Sequence, residues 1–253
     1  MANISTRAGV GTGEHVLIGG FIITGTEPLK VIVRAVGPSM AANGVAGALQ
    51  DPTLELFRPD GTTEFNDNWG DTQSAEISTS GLAPTDARES AIIATLAPGA
   101  YTAVIRGVGD TTGLALVEAY ALSGTSTSNL ANISTRGTVQ SGESVLIGGL
   151  IVLGKEPTPV VIRAIGPSLA AHGISGVLED PFLELRDSNG ELLVSNNDWR
   201  DTQQAAIEAT GVAPTDPRES AILRTLPAGN YTAIISGRNG STGVALVEIY
   251  NLR

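Results

Sequence analysis

The chain is one unit written twice. Asn3-Ile4-Ser5-Thr6-Arg7 returns as Asn132-Ile133-Ser134-Thr135-Arg136, and Val16-Leu17-Ile18-Gly19-Gly20 as Val145-Leu146-Ile147-Gly148-Gly149. Arg34-Ala35-Val36-Gly37-Pro38-Ser39 matches Arg163-Ala164-Ile165-Gly166-Pro167-Ser168. After one inserted residue in a polar turn, Arg88-Glu89-Ser90 pairs with Arg218-Glu219-Ser220. A period of about 130 residues far exceeds the roughly 20–50 of solenoid repeats, so each copy is a whole domain. The boundaries read as residues 1–122 and 131–253, joined by a small polar stretch at 123–130 that has the composition of a flexible linker.

Within a copy, short apolar runs are punctuated by Gly, Pro, Asn and Asp every 8–15 residues or so, the rhythm of an all-β sandwich. Val16 to Ile23 and Val31 to Val36 are apolar on nearly every residue, which predicts strands covered on both faces. Thr53 to Phe57 and Tyr101 to Arg106 alternate, and Pro59-Asp60-Gly61 marks a turn between strands. Two helical turns are expected, one after Gly37-Pro38 with Ser39 as N-cap and one over Thr72 to Ser78 capped by Asp71. The expected fold is therefore all-β: two tandem jelly-roll-like antiparallel sandwiches with short helical turns.

Composition narrows the partners. Net charge is −11, divided −7 before the linker and −4 after it, with Lys30 and Lys155 the only lysines. A nucleic-acid binder needs a basic footprint, so that partner is disfavoured. No apolar run approaches the roughly 18–20 residues that span a bilayer, so membrane insertion is not expected. The absence of cysteine removes disulfides and thiolate chemistry. The two histidines, His15 and His172, face Ser144 and Asn43 in the repeat alignment, so no position holds a histidine in both copies and a histidine-based relay is not expected. Gly9-Val10-Gly11-Thr12-Gly13 lacks the Lys-Ser/Thr of a phosphate loop and reads as a solvent turn.

Three constellations remain. Arg34 and Arg163 sit inside apolar strands, where a charge must find a counter-ion. The expected partners are Glu89 or Glu118 for Arg34, and Glu219 or Glu248 for Arg163. The polar clusters Asn66-Asp67-Asn68 with Asp71, and Asn196-Asn197-Asp198 with Asp201, offer hard oxygens that with Asp51 or Asp180 could surround Ca²⁺, or else bond their own backbone as Asx loops. Trp69 and Trp199 could each stack on a sugar ring or plug one end of a sandwich.

The run from Asp51-Pro52-Thr53-Leu54-Glu55-Leu56 to Asp60-Gly61, then Asn66-Asp67-Asn68, then Leu96-Ala97-Pro98-Gly99-Ala100-Tyr101-Thr102, resembles bacterial pre-peptidase C-terminal and collagen-binding-like jelly rolls, and the second copy repeats it through Leu226-Pro227-Ala228-Gly229-Asn230-Tyr231-Thr232. The unit also looks like tandem β-rich repeats of large secreted bacterial proteins. The resemblance implies an extracellular, non-catalytic module, sometimes calcium-stabilised at residues matching Asp51, Asp67 and Asp71. The leading expectation is a structural or interaction protein of a stalk, adhesin or filament, self-associating or binding another extracellular protein. In one version Asn3, Ile4, Ser5, Thr6 and Arg7 add as a strand to a neighbour. The alternative is a calcium-stabilised carbohydrate- or matrix-binding module.

Overall fold

A computed structural model describes residues 3–122, 127–142 and 144–252, with only the backbone at 3, 4 and 133. The chain divides into two compact units, Ala2–Ala131 and Asn132–Arg253. The first carries eight strands, β1 (Asn3–Val10), β2 (Leu17–Thr24), β3 (Leu29–Val36), β4 (Pro52–Phe57), β5 (Thr63–Asn66), β6 (Ser90–Leu96), β7 (Gly99–Gly107) and β8 (Gly113–Ala121). Two short helices, α1 (Pro38–Ala42) and α2 (Ser74–Thr79), interrupt them.

Among the described residues the strand ladders within each unit are antiparallel, with isolated parallel bridges at Ala48–Leu114 and Val177–Val244. One sheet runs β1-β8-β3-β6 and the other β2-β7-β4-β5. Successive strands thus pass from one sheet to the other at every step except the β4–β5 hairpin, which is the jelly-roll order. The second unit repeats the scheme with β9 (Asn129–Val139), β10 (Leu146–Val152), β11 (Thr158–Ile165), β12 (Pro181–Arg186), β13 (Leu192–Asn196), β14 (Ser220–Leu226), β15 (Gly229–Gly237) and β16 (Gly243–Asn251). Its sheets are β9-β16-β11-β14 and β10-β15-β12-β13, with helix α3 (Gln204–Glu208) in the place of α2.

The period of two explains the burial. Leu17, Phe21 and Ile23 of β2, Leu54 and Leu56 of β4, and Leu29, Val31 and Val33 of β3 fill the space between the sheets. Aromatic residues are few, so this interior is built from Leu, Ile, Val and Ala. Strand β3 is buried on both faces because the segment carrying α2 lies over its outer side. There Ile32 packs with Ile77, Ala91 and Ile93, and Trp69 and Leu82 close over them.

The stretch read as a linker is structured in its described part; residues 123–126 lie outside the described residues. Ser128 is 3% exposed, its hydroxyl accepting from the Glu27 N–H at 3.1 Å and donating to the Glu27 carbonyl, and β9 begins at Asn129. A small polar residue looks like linker in a composition, but its hydroxyl anchors a backbone here. Among the described residues no helix is long and apolar enough to cross a membrane.

Candidate functional site

The motif Arg-Ala-Val-Gly-Pro-Ser carries two separate charge networks. Residues 32 and 34 of β3 face outward opposite Tyr120 and Glu118 of β8, their register partners. Arg34 donates through Nε at 3.1 Å and through Nη2 to one carboxylate oxygen of Glu118, and through Nη1 to the Leu82 carbonyl at 2.6 Å. Tyr120 donates its hydroxyl to the other oxygen at 2.7 Å, and its ring lies 5.2 Å from the guanidinium carbon. Glu118 is 6% exposed, so the charge is taken out of water only with both of its oxygens hydrogen-bonded. Arg163, Glu248, Val212 and Tyr250 repeat the arrangement, with Nε of Arg163 at 3.0 Å from Glu248. Burial first, then the Glu248 charge and the hydrogen bond to it, push the Tyr250 hydroxyl up to about 12.

Glu89 does not pair with Arg34. It is wholly buried, and Oε1 accepts from the Gly37 N–H at 3.0 Å, the Ser39 N–H at 2.9 Å and the Ser39 hydroxyl at 2.6 Å. The carboxylate answers the orphan donors at the start of α1, and Ser39 sits inside the helix instead of capping it. Glu219 holds Gly166 and Ser168 in the same way. Glycine is required before the proline because a Cβ at Gly37 would stand 2.2 Å from the Leu49 carbonyl, and one at Gly166 2.0 Å from that of Leu178. Beside these two networks opens a cavity of about 280 Å³, whose lining includes Arg34, Ser39, Met40, Asn43 and Glu118.

The Asn/Asp loops are organised by their own backbone. Asn66 accepts from the Ala91 N–H and donates to the Asn68 carbonyl, both at 2.9 Å, and Asn68 donates to Asp71 at 3.2 Å. Asn196 makes the equivalent bonds to Ala221 and Asp198. Asp71 therefore holds the loop and does not cap α2, whose N-cap position is Gln73. Asp51, Asp67 and Asp71 approach closely enough that burial, then the Asp51 and Asp71 charges, raise Asp67 above the usual carboxylate range. Asp67 Oδ1, Asp180 Oδ1 and Asn197 Oδ1 are buried acceptors with no hydrogen bond. Among the described residues, no three His, Cys, Asp or Glu side chains gather into a metal-holding group, and Asp198 and Asp201 are joined instead by a turn from the Asp201 N–H to the Asp198 carbonyl at 3.0 Å.

A stacking platform at Trp199 is ruled out by burial. The ring is 2% exposed, packs against Ile207 and Ala221, donates to the Asp216 carbonyl at 3.1 Å, and is covered by Arg200 at 4.9 Å. Trp69 is half-buried against the matching cluster and donates to Asp86 at 3.2 Å. Both indoles are plugs on the outer face of one sheet.

The segment expected to add to a neighbour forms β1 and pairs with β8 of its own unit along its whole length, with Ser5 opposite Glu118, Thr6 opposite Val117 and Arg7 opposite Leu116. Asn3 and Ile4 continue the ladder opposite Tyr120 and Ala119, and their side chains lie outside the described residues. In the second unit Ser134, Thr135 and Arg136 of β9 face Glu248, Val247 and Leu246 of β16 in the same register. His15 and His172 are exposed and touch none of these networks.

No family model and no curated protein matches the chain. Among solved structures, a DUF4785 family protein of Legionella pneumophila is 10% identical, with a TM-score of 0.27 and coverage of 96% of this chain and 60% of its own. An M60 catalytic domain with two CBM51 domains from Clostridium perfringens is 6% identical, with a TM-score of 0.25 and coverage of 96% and 34%. The chain thus spans less than two thirds of either protein, and at these scores neither likeness bears on what it does.

Proposed function

We propose that the chain is a non-catalytic structural and interaction module of the extracellular surface, a building block of a stalk, adhesin or filament whose units join by strand exchange. The observation that carries this reading is the interchangeability of β1 and β9. Five consecutive residues are identical, and each strand lies in one register against a partner strand whose facing residues are Leu-Val-Glu in both units. A slot that accepts Asn-Ile-Ser-Thr-Arg in one unit is therefore chemically fitted to the same strand from another molecule. Main-chain hydrogen bonds supply the affinity, and inward Thr6 and Ala8, both fully buried, supply the fit. A closed unit and an exchanged one contain the same contacts, so concentration decides between them.

The test is assembly of the full chain, followed by light scattering and negative-stain imaging across a concentration series. Multimers are expected, to be broken up by excess peptide of residues 3–10 and changed in size distribution when residues 1–8 are deleted. Unchanged assembly under both treatments, or a chain that stays monomeric at every concentration, refutes strand exchange.

A further inference from the structure

Strands β6 and β14 each end a sheet, and that edge is closed in a specific way. Strand β6 pairs with β3 on one side only. On its other side the N–H groups of Ala91 and Ile93, two residues apart and so pointing the same way, would form a ladder for an incoming strand. Both are taken by side-chain amides. Asn66 Oδ1 accepts from Ala91 at 2.9 Å. Gln73 Oε1 accepts from Ile93 N–H at 2.8 Å while Gln73 Nε2 donates to the Ile93 carbonyl, also at 2.8 Å. That double exchange is what an opposing residue of an antiparallel strand would make.

The second unit has the same device. Ala221 donates to Asn196 at 2.9 Å, Leu223 donates to Gln203 at 3.1 Å, and Gln203 donates back to the Leu223 carbonyl at 2.9 Å. The glutamines are fixed by the helices that follow them, since Ile77 and Ile207 each donate to the backbone carbonyl of residue 73 or 203 at 2.9 Å and are themselves fully buried. The asparagines are fixed by burial, at 3% and 6% exposure.

We infer that Gln73 with Asn66, and Gln203 with Asn196, act as surrogate strands that lock the β6 and β14 edges against addition, so that these sheets accept another copy of the chain only beside β8 and β16. The inference deepens the strand-exchange reading by naming the face through which copies join. Side-chain amides suit the task because they satisfy an N–H and a carbonyl together yet offer no onward ladder. A second strand would have to displace them and the helix behind them.

The experiment compares the full chain with Gln73→Met/Gln203→Met and Gln73→Glu/Gln203→Glu, leaving β1 and β9 intact. Methionine keeps the volume but bares Ile93 and Leu223; glutamate still accepts from the N–H groups and places a charge on the edge. The methionine variant is expected to form larger species by light scattering at equal concentration, resistant to the 3–10 peptide. Its Ile93 and Leu223 amides should exchange faster by up to roughly tenfold, the factor one net hydrogen bond supports. The glutamate variant is expected to match the wild type in size. Faster exchange with an unchanged size distribution overturns the lock while leaving strand exchange standing. Equal association of both variants overturns it too. Should the double methionine variant not fold, Gln73→Met and Gln203→Met singly each leave one unit native and carry the same expectation.

Discussion

Replacing Arg34 alone and replacing it together with Glu118 should have sharply different costs. Arg34→Met leaves Glu118, 8% exposed at its side chain, as a buried carboxylate with only the Tyr120 hydroxyl bonded to it. Breaking a buried pair from one side costs about 3–5 kcal/mol. In Arg34→Met/Glu118→Leu no charge remains, and the residual losses are the Leu82 carbonyl without its donor and the Tyr120 hydroxyl without its acceptor, each worth about 1 kcal/mol. The double variant should therefore lose about 2 kcal/mol, about 1–3 kcal/mol less than Arg34→Met alone. At about 4 °C per kcal/mol for a unit of this size, the single variant melts about 12–20 °C lower and the double about 8 °C lower. Native-state hydrogen exchange of β3 reads the first unit alone, and β11, where Arg163 and Glu248 are untouched, serves as the standard within the same molecule. Equal losses in the two variants refute the claim that an unanswered charge sets the cost.

Asp67→Asn installs the second unit's residue, Asn197, and removes a carboxylate whose ionised form is disfavoured in the fold. It should stabilise the first unit by a few tenths to about 1 kcal/mol at pH 7. The gain should vanish in thermal melts as pH falls below the ordinary value of 3.8, where the wild-type group is protonated in both states. Millimolar calcium or a chelator should shift neither melt, and a calcium-dependent rise confined to wild type would show the carboxylates closing on the ion. The raised Tyr250 means the fold favours its neutral form, so this contribution is intact below pH 10 and is lost as pH climbs toward about 12. Absorbance titration should place its ionisation well above that of free tyrosine, and Tyr250→Phe should abolish the high-pH step. Trp199→Ala should cost about 3–5 kcal/mol by urea denaturation, as a fully buried indole does. Trp69→Ala should cost less, and neither change should alter retention on a glycan array.

Duplication and strand rhythm were open to reading in the sequence because they depend on local residue type: the period of two, the turn residues and the repeat itself carry them. The helical turn after Gly37 was also readable, but its cap was not. Glu89 lies 50 residues from Ser39, and only the crossing of β3 and β6 brings it to the N–H groups it holds. For the same reason the choice between Glu89 and Glu118 as partner of Arg34 could not be made from spacing, since each adjoins or lies within an apolar strand and register alone sets Glu118 opposite. Gln73 and Gln203 went unnoticed because a glutamine before a short helix looks like any surface residue. Their one visible trace is that Asp-Thr-Gln follows the tryptophan loop in both copies.

The two copies also sort their chemistry. Five interior pairs, Arg34 and Arg163, Glu118 and Glu248, Glu89 and Glu219, Asn66 and Asn196, and Gln73 and Gln203, are bonded to backbone or to a fixed partner within their own unit. Positions where they part include His15 against Ser144, Asn43 against His172 and Gly70 against Arg200 on loops, and Phe57 against Arg186, Ala94 against Arg224 and Arg106 against Ser236 on strands. What both units hold in common beyond their cores is a backbone slot beside one strand and an amide-sealed edge on the other side of the same sheet. Under the proposed strand exchange, a slot at one edge and a sealed edge at the other would give growth a direction. That asymmetry, more than any single side chain, is the feature on which the proposed joining function rests.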